Sequence, residues 1–108
     1  MITLQITVTF PEPNGLAKEL ELQHTVVFQL TRLAMFWGSQ HGVSLNRTIN
    51  EDNSQKVITF TFTSKEEYDN FMSHTADNGV DVAALINEYK AEMEGLGATW
   101  DYVVTGLE

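Results

Sequence analysis

Residues 2–10 alternate almost perfectly between apolar and polar side chains. Ile2, Leu4, Ile6, Val8 and Phe10 share one face, and Thr3, Gln5, Thr7 and Thr9 share the other. Period-two alternation rich in β-branched residues predicts a half-buried strand. Pro11-Glu12-Pro13-Asn14-Gly15 ends it, because proline cannot continue a ladder and Asn-Gly favours a turn. Residues 16–23 read two ways. Leu16, Leu20 and Leu22 fit a short returning strand in a hairpin, the preferred reading, while Leu-Ala-Lys-Glu-Leu also suits a helix. Thr25 is a candidate N-cap for a helix over 26–39, with Val26, Leu30, Leu33, Ala34 and Trp37 on one stripe and Gly38 and Gly42 bracketing its end. Residues 43–50 and 56–63 then read as two strands around the polar connector Glu51-Asp52-Asn53-Ser54-Gln55. In the second of them Ile58, Phe60 and Phe62 alternate with Thr59, Thr61 and Thr63.

Ser64 and Glu67 form a Ser-x-x-Glu capping box that opens the next helix, whose inward stripe is Tyr68, Phe71, Met72 and Thr75. Asn78-Gly79 breaks the chain. Asp81 is the candidate N-cap of a third helix facing inward through Val82, Leu85, Ile86, Tyr89 and Met93; Gly95 and Gly97 terminate it. Trp100, Tyr102 and Val104 alternate as a last strand. The expected fold is α+β: a single antiparallel-type sheet with three helices on one face, because each clear strand has one apolar and one polar side. The expected order is β-[β]-α-β-β-α-α-β. Without the bracketed strand it resembles the split βαβ, ferredoxin-like order. At 108 residues, one domain spanning 1–108 is expected.

Charge changes this picture. Up to Lys65 five acids and five bases cancel; from Glu66 onward ten acids face one base, Lys90, so the back of the chain carries the whole net charge of -9. Phosphate contacts come from Lys and Arg, and only six are present, scattered singly. That argues against direct nucleic-acid binding and against docking on an anionic membrane. There is no cysteine, hence no disulfide, thiol catalysis or cysteine-ligated zinc. The start Met1-Ile2-Thr3-Leu4-Gln5 lacks the basic opening of a leader, and the apolar-rich stretch 26–37 is interrupted by Gln29, Thr31 and Arg32, far short of the roughly 20 residues that span a bilayer. A cytoplasmic protein is expected, in the host cytoplasm if the chain is viral.

No strong catalytic signature is present: no glycine-rich phosphate loop, no His-Glu-x-x-His and no Gly-x-Ser-x-Gly. His24, His41 and His74 lack metal-ligand spacing, so no metal site, cofactor or catalytic residue is assigned. Trp37 and His41 lie four apart and share a face only if the helix continues past Gly38. Three surface features remain. Asp81, Glu88 and Glu92 fall within about 40° on the third helix's wheel, either as a docking face for a basic protein or as a solvated face that keeps the protein soluble. Phe28, Met35 and Phe36 project away from the first helix's apolar stripe and mark a second contact, with a partner, a second copy or the neighbouring helices. Thr3, Thr7, Thr9, Thr59, Thr61 and Thr63 make a threonine-rich sheet face, either open to water or packed sheet-to-sheet in a dimer.

The stretch Phe60-Thr61-Phe62-Thr63-Ser64-Lys65-Glu66-Glu67-Tyr68-Asp69-Asn70-Phe71-Met72-Ser73-His74 resembles a segment of the dimeric α/β-barrel proteins, which include antibiotic-biosynthesis-monooxygenase-like domains. That resemblance implies a ferredoxin-like fold, sheet-mediated dimers and, in some members, haem or quinone-type substrates, with His74 as the residue that would carry over as a haem ligand. The chain departs from the haem-degrading pattern. Where those members have an asparagine on the first strand and a tryptophan on the helix, this sequence has Gln5 and Thr7 on the strand and Phe71 on the helix. The expected function is therefore a small, acidic, non-enzymatic protein-binding factor, an inhibitor or decoy of the virus-encoded accessory type, docking on a basic surface. The alternative is a dimeric ligand-binding or monooxygenase-like protein with a pocket between helices and sheet.

Overall fold

Four segments with one apolar and one polar side pair into one sheet, because pairing satisfies their backbones while the apolar sides stack on a single face. The computed structural model describes residues 1–21, 31–33, 35–74, 79 and 81–106. Strands β1 (Ile2–Thr9), β2 (Val43–Ile49), β3 (Gln55–Phe62) and β4 (Thr99–Thr105) take the order β2-β3-β1-β4. Every neighbouring pair is antiparallel. The described helices are α1 (Ala17–Glu21), α2 (Gly38–His41), α3 (Lys65–Ser73) and α4 (Val82–Gly95).

The register sets the core. Val43, Phe62 and Ile2 lie side by side across β2, β3 and β1; Leu45, Phe60, Leu4 and Val104 form the next row across all four strands. Phe71 of α3 and Val82, Leu85, Ile86, Tyr89 and Met93 of α4 close over these rows, all buried in one cluster with them. Both helix starts expected from the sequence are present. Ser64 Oγ accepts from Glu67 N at 3.2 Å, and Asp81 Oδ1 accepts from Ala84 N at 2.8 Å, each satisfying an orphan amide of a first turn. No described helix is long and apolar enough to cross a membrane.

One sequence expectation needs correction. Residues 17–21 are helical, not a returning strand. The physical reason is the position of β1: its two edges are already taken by β3 and β4, so no hairpin partner can pair beside it. The turn instead folds back through Phe10 N to Ser54 O at 2.8 Å and Leu16 N to Asn53 O at 3.0 Å, which brings α1 over the inner face. Gly15 permits this close approach, since a Cβ there would meet the Phe10 side chain at 2.2 Å. The helix expected over 26–39 ends, as the sequence implies, inside the bracket of Gly38 and Gly42, two residues past Ser39. Residues 31–33, 35 and 36 are helical, Trp37 forms a turn that keeps helical dihedrals, and α2 carries on to His41. Gly42, at φ 70°, makes the left-handed cap there, and a Cβ on it would strike the Thr63 hydroxyl at 2.5 Å. Thr25, Val26, Phe28, Leu30, Ala34, Thr75 and Asn78 lie outside the described residues.

Candidate functional site

Lys56 occupies an inward-facing register position of β3, paired with Val8 on one side and Ile49 on the other. An ammonium on an apolar face must find a counter-charge, and α1 supplies it. Lys56 Nζ donates to Glu19 Oε1 at 2.5 Å and Oε2 at 2.7 Å, with side chains only 5% and 9% exposed. Tyr89 of α4 donates its hydroxyl to Glu19 Oε1 at 3.1 Å, and its ring lies 5.2 Å from the Lys56 ammonium. Trp100, the next inward residue in this row beyond Val8, stands edge-on to Tyr89 at 5.5 Å and 81°. One buried polar cluster thus pins α1, α4 and the sheet together.

The cluster is closed to chemistry. A nucleophilic lysine needs a free lone pair and a route for a carbonyl substrate, whereas both Glu19 oxygens hold this ammonium. Burial pulls Lys56 below its ordinary 10.5, and the charge and hydrogen bond of Glu19 oppose that pull. Burial, followed by the charge and hydrogen bond of Glu19, raises Tyr89 above the ordinary tyrosine range. Burial, followed by Tyr68, pushes Tyr102 up to about 12.

These shifts carry a sign. A phenol raised in the folded state keeps its full contribution below pH 10 and loses it as pH climbs towards the folded value. Lys56 acts in the opposite direction, adding stability as pH rises from its lowered value to 10.5. Above 10.5 the raised tyrosines, Tyr89 and Tyr102, and Lys65, raised by its hydrogen bond to Asp69, all act in one direction, so the urea midpoint should fall between pH 10.5 and 12. Tyr89→Phe should lessen that fall, leaving the part due to Tyr102 and Lys65; a midpoint level across this range in the wild type would refute it.

The second constellation is aromatic. Trp37 stacks on His41 at 4.1 Å and 16°, with Phe71 at 5.7 Å and His74 at 5.6 Å. His41 Nδ1 faces Glu67 Oε2 at 3.9 Å. His74, the candidate haem ligand, is the C-cap of α3, its backbone N–H donating to Phe71 O. Its ring packs beside Trp37, and the described groove between α3, α4 and β4 is lined by other residues. These surroundings fit a packing role. Among the described residues no group of three or more His, Asp or Glu could hold a metal ion.

The chain superposes on the de novo designed protein Foldit4 with a TM-score of 0.51 at 8% identity, covering 99% of this chain and 98% of that one. It superposes equally, at a TM-score of 0.51 and 11% identity, on a dimeric ferredoxin-like protein from an uncultured marine organism, covering 99% and 94%. The fold is ferredoxin-like. No family model and no curated protein matches the sequence.

In this ferredoxin-like frame the other candidate residues take definite places. Asp81 caps α4, so its carboxylate has a structural role. Glu88 is exposed on α4 and Glu92 half-buried. Met35 and Phe36 are 63% and 71% exposed, both on the helical stretch before α2, while Phe28 lies outside the described residues. Sequence reasoning missed the Lys56 cluster. Its one local signal was parity: Lys56 shares the face of Ile58, Phe60 and Phe62. Its partners had no such signal, standing 37 residues from Lys56 for Glu19 and 70 from Glu19 for Tyr89.

Proposed function

We propose that this protein is a non-enzymatic, homodimeric binding module. Two copies join through the threonine-rich sheet face and turn their acidic helices outward to a basic protein surface. The observation that supports this reading is where charge is missing. Asp101 is the single charged residue among the outward-facing positions of the four strands; the others are threonine, serine, asparagine, glutamine and valine. A solvated surface carries roughly 25–35% charged residues, and depletion of charge marks an interface core. Copies with a net charge of -9 repel most strongly helix to helix and least across this neutral face. The solved neighbour of this fold described as dimeric is consistent with it. An inhibitor or decoy of a basic protein is the role the outward acidic helices would suit.

Light scattering should give twice the 12.2 kDa chain mass. Gln5→Glu with Thr59→Glu, a cross-strand pair at the centre of the face, should give a folded monomer of unchanged circular dichroism. A wild-type monomer at 100 µM, by order of magnitude the range of a weak dimer, would overturn the dimer. For the acidic face, reversing Glu88 and Glu92 to Lys should weaken a captured partner by far more than the roughly 1 kcal/mol of rim charges. Unchanged binding would remove that half of the proposal.

A further inference from the structure

We propose that the groove between α3, α4 and β4 binds a small planar aromatic anion of the aryl-carboxylate class. The groove is open and holds about 290 Å³, close to the lower end of ligand sites, roughly 300 Å³. That is room for a fused two-ring system. Met72 and Ile86 give it apolar walls, and Trp100 and Tyr102 of β4 give it aromatic ones. Its polar groups converge from one element: the Asn87 amide and the Lys90 ammonium, one turn apart on α4.

Two observations select an anion. Lys90 is the one base in the acidic back of the chain, and it lines this groove. Among the described residues it forms no salt bridge, unlike Lys18, Lys56 and Lys65. A cation with no described ion-pair partner, set beside aromatic faces, is complementary to a flat ring bearing one negative charge. The wall is also rigid. Tyr89 braces Trp100 edge-on and is itself tied to Glu19, so the indole is held in place before any ligand arrives. The groove lies on the helix side of the sheet, so it stays open whether or not two copies pair through the threonine face; the inference does not rest on the dimer.

The test titrates ¹⁵N-labelled protein with 2-naphthoate and, separately, with the neutral 2-naphthylmethanol. Saturable shifts of the Trp100 indole N–H and the Asn87 side-chain amide are expected with both, and tighter binding with the carboxylate. Lys90→Gln should weaken naphthoate roughly fivefold, as for a partly exposed charge pair, and leave naphthylmethanol unchanged. Ala83→Leu, which fills the groove from α4, should abolish both. No saturable shift with naphthoate, shifts mapping to Met35 and Phe36 instead, or equal weakening of both probes by Lys90→Gln would each overturn the proposal.

Discussion

Replacing Lys56 with methionine should destabilise the protein by about 3–5 kcal/mol, the loss expected when one member of a buried ion pair is removed. The cause is what stays behind. Glu19 keeps a 9% exposed carboxylate with the Tyr89 hydroxyl as its one remaining described partner. Desolvation then has no compensating charge. Removing both charges together, Lys56→Met with Glu19→Leu, should recover most of the loss, because a well-packed apolar pair avoids the desolvation term altogether. Urea unfolding of the wild type, the single variant and the double variant measures this directly. A single-variant loss below about 1 kcal/mol would show the pair to be solvated and worth no more than a surface bridge. The effect should reach the groove as well, since the ion pair steadies Tyr89 and Tyr89 braces Trp100.

Phe71→Ala should cost about 3–5 kcal/mol, the range for truncating a buried phenylalanine. Phe71 is fully buried and touches three other rings: Phe60 at 5.6 Å, Phe62 at 5.5 Å and Trp37 at 5.7 Å. Its ring is the link between the sheet core and the Trp37–His41–His74 group. Emptying that position should therefore also let water reach Trp37 and shift its emission to the red, while the Ser64 and Asp81 caps keep α3 and α4 in place. A loss under 1 kcal/mol with unchanged emission would mean that neighbouring rings refill the space.

Most of the frame is legible in the residues because its signals are local. Alternation at Ile2 to Phe10 and at Ile58 to Phe62 fixes which side of each strand is buried, and the stripe from Val82 to Met93 does the same for α4. The caps Ser64 and Asp81 are equally local, since each acts on an amide three residues away. Residues 17–21 misled for a reason of the same kind. Leu16, Leu20 and Leu22 satisfy period two by chance, and local pattern carries no information that both edges of β1 are occupied. The link between Trp37 and His41 depended on whether the helix survives Gly38, and it does, with the glycine lying against Val43 O.

By itself, the sequence determined the four strands and the capped helices α3 and α4, the buried face of each and the separation of a neutral sheet from acidic helices. Periodicity, capping and charge are properties of neighbouring residues, so they are written locally. Only the tertiary structure decided what those faces meet. It placed Glu19 on Lys56, Tyr89 against Trp100, and Lys90 at the rim of an aromatic groove. Glu19 and Lys56 stand 37 residues apart and meet only through the antiparallel register; Tyr89, Trp100 and the groove come from the successive elements α3, α4 and β4, and it is the packing of the helices on the sheet that brings them together.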